Sequence, residues 1–409
     1  MKHLQDWLTN ENFFRECHSE IGCFYHYKKH LPLLKRASFE RIPVLFGHYS
    51  YGSRFTPDTD VFRCIKPQFL DMLRRRECVF ILDGTHEGWS PEEQSVAISL
   101  YNSAIKHNID PSSIHFLSGN LREKANFKSF YLANGNHNPI NIIEIMHWDT
   151  FQKVMMTQGK RRFSRRQRLE QSYQGKFYLN LSRRKRFWRS YCTWRLHEAN
   201  IAQHGLISHD KMDPRDYMNN RFFSQQMEST LNKVTPLVVD TEDFETNWAS
   251  DLGVDLHSQV LFNLTSETMQ SDWGETSLFY SEKTFKPVVQ KTPVLIWGQT
   301  GQNYNLQRLG YKLYTDWFDY EFDFETDIVK RWEKLEKELV RVCTLLSKMT
   351  RTQQIDWSLK NEDVLDYNYQ RADYNDYTIS EFLRLVDSCH FYLQGKHPAD
   401  KDYLSKNVM

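Results

Sequence analysis

Short continuous apolar runs recur along the chain, each closed by a glycine or polar turn, and stretches with apolar residues three and four apart lie between them. Ile42-Pro-Val-Leu-Phe-Gly-His48, Cys78-Val-Phe-Ile-Leu-Asp-Gly84, Ser113-Ile-His-Phe-Leu-Ser-Gly119 and Ile140-Asn-Ile-Ile-Glu-Ile-Met146 have the length and residue types of buried strands. Within Pro91 to His107, Val96, Ile98, Leu100, Tyr101 and Ile105 form a helical pattern, with Glu92 and Glu93 in the first turn, where the helix dipole favours acids. Farther along, the runs 176–182, 206–208, 259–265, 294–297 and 311–314 repeat the strand pattern. Helices are predicted from Phe187 to about His204 with Gly205 as C-cap, over Asp213 to Lys233, after Ser281, through Leu306 and Leu309, over about 325–349 and near Ile379 to Tyr392. Strands alternating with helices predict an α/β chain of two Rossmann-like domains, each a largely parallel sheet covered on both faces. The first spans 1–172 and ends in a basic linker, the second spans 173–350, and 351–409 form a helical tail. The helices over about 325–349 and near Ile379 to Tyr392 either close the second domain or cross back to the first.

Charge changes this picture only locally. Lys and Arg number 53 against 52 for Asp and Glu in 409 residues, so no global charge calls for nucleic acid or a membrane surface. Lys160-Arg-Arg-Phe-Ser-Arg-Arg-Gln-Arg168 is a basic run without apolar period; it reads as a solvated linker, with phosphate contact as the functional alternative. The seven cysteines are an odd number without a C-x-x-C pair, which points to neither a disulfide framework nor a zinc site. His26 and His30 read as incidental residues of a basic, aromatic segment. With no apolar leader and no stretch near the ~18 apolar residues of a membrane span, a cytoplasmic chain is expected.

Two such domains place a cleft between the carboxyl ends of their sheets, where open α/β sheets bind ligands. Chemistry is therefore sought on loops that follow strands. After the run 78–82 come Asp83, His86 and Glu87, with Trp89 beside them: a carboxylate or imidazole there can deprotonate a hydroxyl while the indole stacks on a sugar face. The same loop also reads as an acidic cap for the next helix, through Ser90 or Glu92. Ser118-Gly-Asn120 offers an amide that either binds an acceptor or caps a helix. Asn180-Leu-Ser182 runs into Arg183, Arg184, Lys185 and Arg186, four cations at a helix start that the macrodipole disfavours unless an anion such as a diphosphate offsets them. Glu267 and the pair Glu282 and Lys283 complete the set, a carboxylate suited to ribose hydroxyls and a lysine suited to phosphate. Read structurally, Glu282 is a helix-start acid beside a solvated lysine.

The run Tyr280-Ser-Glu-Lys-Thr-Phe-Lys-Pro-Val-Val, then Thr292-Pro-Val-Leu-Ile-Trp-Gly298, resembles the donor-site motif of the inverting fucosyltransferase-type enzymes with the GT-B fold. It is similar also to the matching segment of glycosyltransferase-like proteins of phages and large viruses. The resemblance spans about residues 176 to 320. Ser281 stands where the family has Thr, Lys286-Pro287 where it has a small-residue helix, and Ser266-Glu267-Thr268 where it has Glu-Asn-Ser. The resemblance implies two domains facing a cleft, a nucleotide-sugar donor, GDP- or UDP-linked, and transfer to the hydroxyl of a glycan or other acceptor. Its donor contacts fall here on Glu282, Lys283, Phe279 or Tyr280, and one of Arg183, Arg184 and Arg186, with Glu267 nearby. Its general base, a glutamate of the N-terminal domain, falls by position on Glu87, with His86 and Asp83 beside it. No Asp-x-Asp lies in a suitable strand context, so neither metal nor cofactor is expected. A hydroxylated base in DNA is the alternative acceptor, and a non-catalytic binding protein on the same scaffold the other alternative.

Overall fold

The computed structural model describes residues 2–3, 43–48, 55–65, 67–85, 88, 95–146, 164–182, 186–211, 220–239, 254–267, 276–373 and 376–394, and every structural statement below concerns these. The chain forms two compact units. One comprises 1–150, 276–279 and 375–409, the other 151–275 and 280–374, so the chain passes between them four times, after residues 150, 275, 279 and 374.

In the first unit β1 (Lys2–His3), β2 (Pro43–His48), α1 (Pro67–Arg74), β3 (Val79–Gly84), α2 (Val96–Lys106), β4 (Ile114–Ser118), α3 (Glu123–Asn134) and β5 (Asn141–Glu144) follow in order. The strands lie in sequence order β1-β2-β3-β4-β5, with β2 to β5 parallel and only β1 antiparallel. β3 and β4 are buried along their whole length, which is why their sequences are continuous apolar runs rather than alternating ones. Alternate residues Phe80, Leu82, Phe116 and Ile142 join Leu100 and Tyr101 of α2 and Phe127 of α3 in one core on one face of the sheet.

The second unit runs through α4 (Arg165–Ser172), β6 (Lys176–Leu181), α5 (Phe187–Glu198), β7 (Gly205–Ser208), α6 (Gln225–Val234), α7 (Val254–Ser258), β8 (Val260–Ser266), α8 (Glu282–Val289), β9 (Val294–Trp297), α9 (Gln302–Arg308), α10 (Ile328–Ser347), α11 (Arg351–Ser358) and α12 (Glu362–Asp373). Its sheet is all parallel with order β7-β6-β8-β9, so the chain moves outward from β6 to β7 and then reverses to β8 on the other side. α10 buries Trp332, Leu335, Leu339, Val342 and Leu346, spaced three and four apart, each worth about 1.5–3 kcal/mol when taken from water. Trp332 meets Trp297 of β9 edge to face at 4.7 Å. The final helix, α13 (Asp376–Leu393), belongs to the first unit and packs against β3 and β5, and Tyr392 reaches the Leu73 carbonyl at 3.4 Å. The predicted α/β character and parallel sheets are present, and none of the described helices is long and apolar enough to cross a membrane.

Four sequence expectations differ. The basic run is helical from Arg165, started by a capping box between Ser164 and Gln167. Arg165 is buried and donates to the carbonyls of His257, Val260 and Leu261; Arg166 pairs with Asp356 at 2.9 Å, and Arg168 donates to the Gln290 carbonyl. These three arginines bind protein groups of the second unit, a use that periodicity cannot register. The helix expected to reach His204 stops at Glu198, because Asn200 takes the left-handed conformation (φ 54°), and Gly205, at φ −104°, instead opens β7. Residues 311–314 form no strand: the backbone N–H and C=O of Lys312 pair with the side-chain amide of Asn368 in α12. In the segment 213–233, residues 212–219 lie outside the described residues and the helix begins only at Gln225.

Candidate functional site

A strand order that reverses leaves a crevice outside the carboxyl ends of the strands where it does so. In the second unit that place is between β6 and β8; the first unit, with strands in sequence order, has no such reversal. β6 delivers Asn180 there, and its ladder continues one residue further, since Ser182 N–H donates to the Ser208 carbonyl at 2.8 Å. β8 delivers Ser266 and Glu267. All four side chains are buried.

Glu267 governs the start of α8. Its carboxylate accepts from the Ser281 N–H at 3.1 Å, from Ser281 Oγ at 2.7 Å and from Thr284 Oγ1 at 2.5 Å, while Ser281 caps the helix by accepting from the Lys283 N–H. The anion favoured at this helix start is therefore the protein's own. Pro287 lacks the N–H that would bond the Lys283 carbonyl one turn back, and Thr265 Oγ1 supplies a donor at 3.3 Å instead. Asn263 in turn donates to Thr265 at 2.7 Å. Residues 263, 265 and 267 alternate along β8 and so share one face, a polar column that fixes the first turn of α8.

That turn presents Glu282 and Lys283, half-buried and 2.6 Å apart. Burial works against the charged form of Glu282, but Lys283 and Lys286 overcome it and hold the carboxyl down at about 2. Burial also draws the Lys283 ammonium below its ordinary value; Glu282 opposes this and the Arg189 guanidinium reinforces it. Arg189, itself buried, lies in the first turn of α5, so the site combines two cations from two helices with carboxylates from α8 and β8. His209, at the end of β7, holds Ser190 of the same turn through its Nε2 at 3.0 Å. Such a set can bind an anion with hydroxyl groups beside it.

No family model, curated protein or solved structure matches the chain.

Of the residues expected at the site, Glu267, Glu282 and Lys283 come together around one helix start. Tyr280 is buried and donates its hydroxyl to the Gln302 carbonyl at 2.5 Å, so it anchors the motif, and at 2 % exposure its ring offers no open face. Arg186 is the N-cap residue of α5, half-buried; Arg183 and Arg184 lie outside the described residues, as do His86 and Glu87. Asp83, in the first unit, is fully buried at the end of β3 and accepts from the Thr85 N–H at 3.0 Å. Asn120 binds backbone on both sides: it accepts from the Leu278 N–H at 2.9 Å and donates to the Thr276 carbonyl at 3.0 Å. Ser277 Oγ donates to the Gly88 carbonyl, so residues 276–279 are laced to the loops after β3 and β4 of their own unit.

Arg189 escaped the sequence reading because the cations before it drew attention to the loop. A signal existed: Arg189, Cys192 and Leu196 are three and four apart and share the buried side of α5, a position where a cation needs a reason.

Proposed function

We propose that the chain is a glycosyltransferase of the GT-B type, moving a sugar from a nucleotide-sugar donor to an acceptor hydroxyl with inversion. The reading rests on one observation above others: at the reversal point of the second unit's sheet, Glu282 and Lys283 of the motif that resembles a donor site lie with Arg189 of α5 and Glu267 at the end of β8. In the proposed reaction the acceptor oxygen attacks the anomeric carbon as the bond from that carbon to the diphosphate oxygen breaks. Positive charge develops on the sugar ring and negative charge on the leaving diphosphate. Lys283 and Arg189 offset the latter, joined by a cation of 183–186. Glu282, ionised across the physiological range, fixes Lys283 and takes a hydroxyl of the ribose or sugar. The acceptor proton goes to a carboxylate of the 83–88 loop, Glu87 by position, with His86 and Asp83 beside it. The first unit carries the acceptor, a glycan or another hydroxyl compound.

The test is calorimetry of the intact chain with a panel of GDP- and UDP-linked sugars, followed by donor hydrolysis in the one that binds. Lys283→Ala is expected to lower turnover at least a hundredfold with an unchanged melting temperature. A panel in which no nucleotide sugar binds, or a Lys283→Ala variant as active as the parent, refutes the assignment.

A further inference from the structure

Two buried polar atoms at the reversal point have no hydrogen-bond partner: Asn180 Oδ1 and Ser182 Oγ. Both residues are 0 % exposed. Native interiors leave few such atoms unpaired, and each one calls for an explanation. The two belong together, because residues two apart on an extended strand point to the same side, and the ladder bond from Ser182 N–H to Ser208 keeps Ser182 extended.

The orientation of the Asn180 amide is fixed by chemistry. Its nitrogen lies 2.7 Å from the Leu264 carbonyl and 3.0 Å from Ser266 Oγ. A carbonyl only accepts, so the group facing it is the NH2, and the oxygen is the atom left over. That oxygen can only accept. Ser182 Oγ can donate as well as accept. A partner satisfying both must therefore carry a hydrogen it can give to Asn180, and it can use Ser182 as either donor or acceptor. A hydroxyl does this, whereas a phosphate oxygen in its ionised form has no hydrogen to give.

We infer that Asn180 and Ser182 form a hydroxyl subsite, one that takes a ribose hydroxyl of a nucleoside diphosphate group and so selects ribonucleotide over deoxyribonucleotide donors. The inference rests on the nucleotide-sugar reading above and adds to it the group that the sheet edge recognises. It gives the site two distinct parts: cations on α5 and α8 for the diphosphate, and neutral hydrogen-bonding groups at the end of β6 for the ribose.

Ser182→Ala is the informative variant, because its hydroxyl makes no bond within the protein and its removal leaves folding intact; an unchanged or raised melting temperature checks this. Calorimetry is run with GDP and UDP and with their 2′,3′-dideoxy counterparts, on the parent chain and on Ser182→Ala. The expected result is that the parent binds the ribonucleotide about a hundredfold more tightly than its dideoxy counterpart, and that Ser182→Ala, which keeps Asn180, retains only about a tenfold preference while binding the dideoxy compound as the parent does, since each hydrogen bond of about 1.4 kcal/mol is a tenfold change. Equal affinities of the parent for the two compounds overturn the subsite and leave an ordered water as the partner of the two atoms. A preference that survives undiminished in Ser182→Ala overturns it as well. A parent chain that binds none of the four compounds overturns the donor reading and the subsite together, an outcome distinct from the other two.

Discussion

Replacing Glu267 by glutamine tests whether this carboxylate holds the site together or only serves a ligand. Three donors converge on it, the Ser281 N–H, Ser281 Oγ and Thr284 Oγ1, at 3.1, 2.7 and 2.5 Å. A hydrogen bond to a charged group contributes about 1.5–3 kcal/mol. Glutamine keeps one acceptor oxygen and turns the other into a donor, to which a serine or threonine hydroxyl can rotate and accept. The expected loss is thus one or two charge-assisted bonds, together with the attraction of a carboxylate for a helix start, about 2–4 kcal/mol in all. Urea unfolding followed by tryptophan fluorescence reads it, since Trp297, Trp317 and Trp332 are all buried in the second unit. The Thr284→Val variant should lose part of the same energy, and the double variant should lose less than the sum of the two. If Glu267→Gln unfolds at the urea concentration of the parent, within about 0.5 kcal/mol, the account of Glu267 as the anion of α8 is wrong.

Two predictions concern the first unit. Burial, with the Glu144 carboxylate adding to it, pushes the Glu123 carboxyl up to about 8 from an unfolded value of 4.5. A folded pKa above the unfolded one gives a contribution that is complete below pH 4.5 and lost as pH rises through 8; at about 1.4 kcal/mol per unit, some 3 kcal/mol of it is gone by pH 7. Glu123→Gln, neutral at every pH, is expected to raise the melting temperature at pH 7 and 9 and to change it little at pH 4.5, and equal melting curves at pH 9 would falsify this. The second prediction concerns Gly88, where an added Cβ would stand 2.2 Å from Cβ of Phe279. Gly88→Ala should cost about 1–3 kcal/mol through forced displacement, as overpacking does. A thermal melt reads the loss, and a Gly88→Ala variant as stable as the parent refutes the close contact.

What the sequence displays and what it hides follow from how far each interaction reaches along the chain. β3, β4, β8 and β9 announce themselves because a strand buried on both faces needs an unbroken apolar run, a local requirement. Glu282 and Lys283 are adjacent, so their pairing is visible in the motif. Glu267 lies fourteen residues before the Ser281 it caps, and its place near the donor motif could be anticipated, but its service to the helix start could not. Asn368 meets Lys312 across fifty-six residues and there removes the need for a strand that the local pattern favoured. Arg165 is the sharpest case. Its neighbours in sequence make it look like part of a solvated cationic run, yet its guanidinium binds carbonyls more than ninety residues away. A buried arginine and a solvated one are written with the same letter, and only the strand ends they meet tell them apart. The same reasoning applies to Arg189: α5 holds it on its buried side, where its charge acts on Lys283, and only its spacing to Cys192 and Leu196 marks it out from the other arginines of the segment.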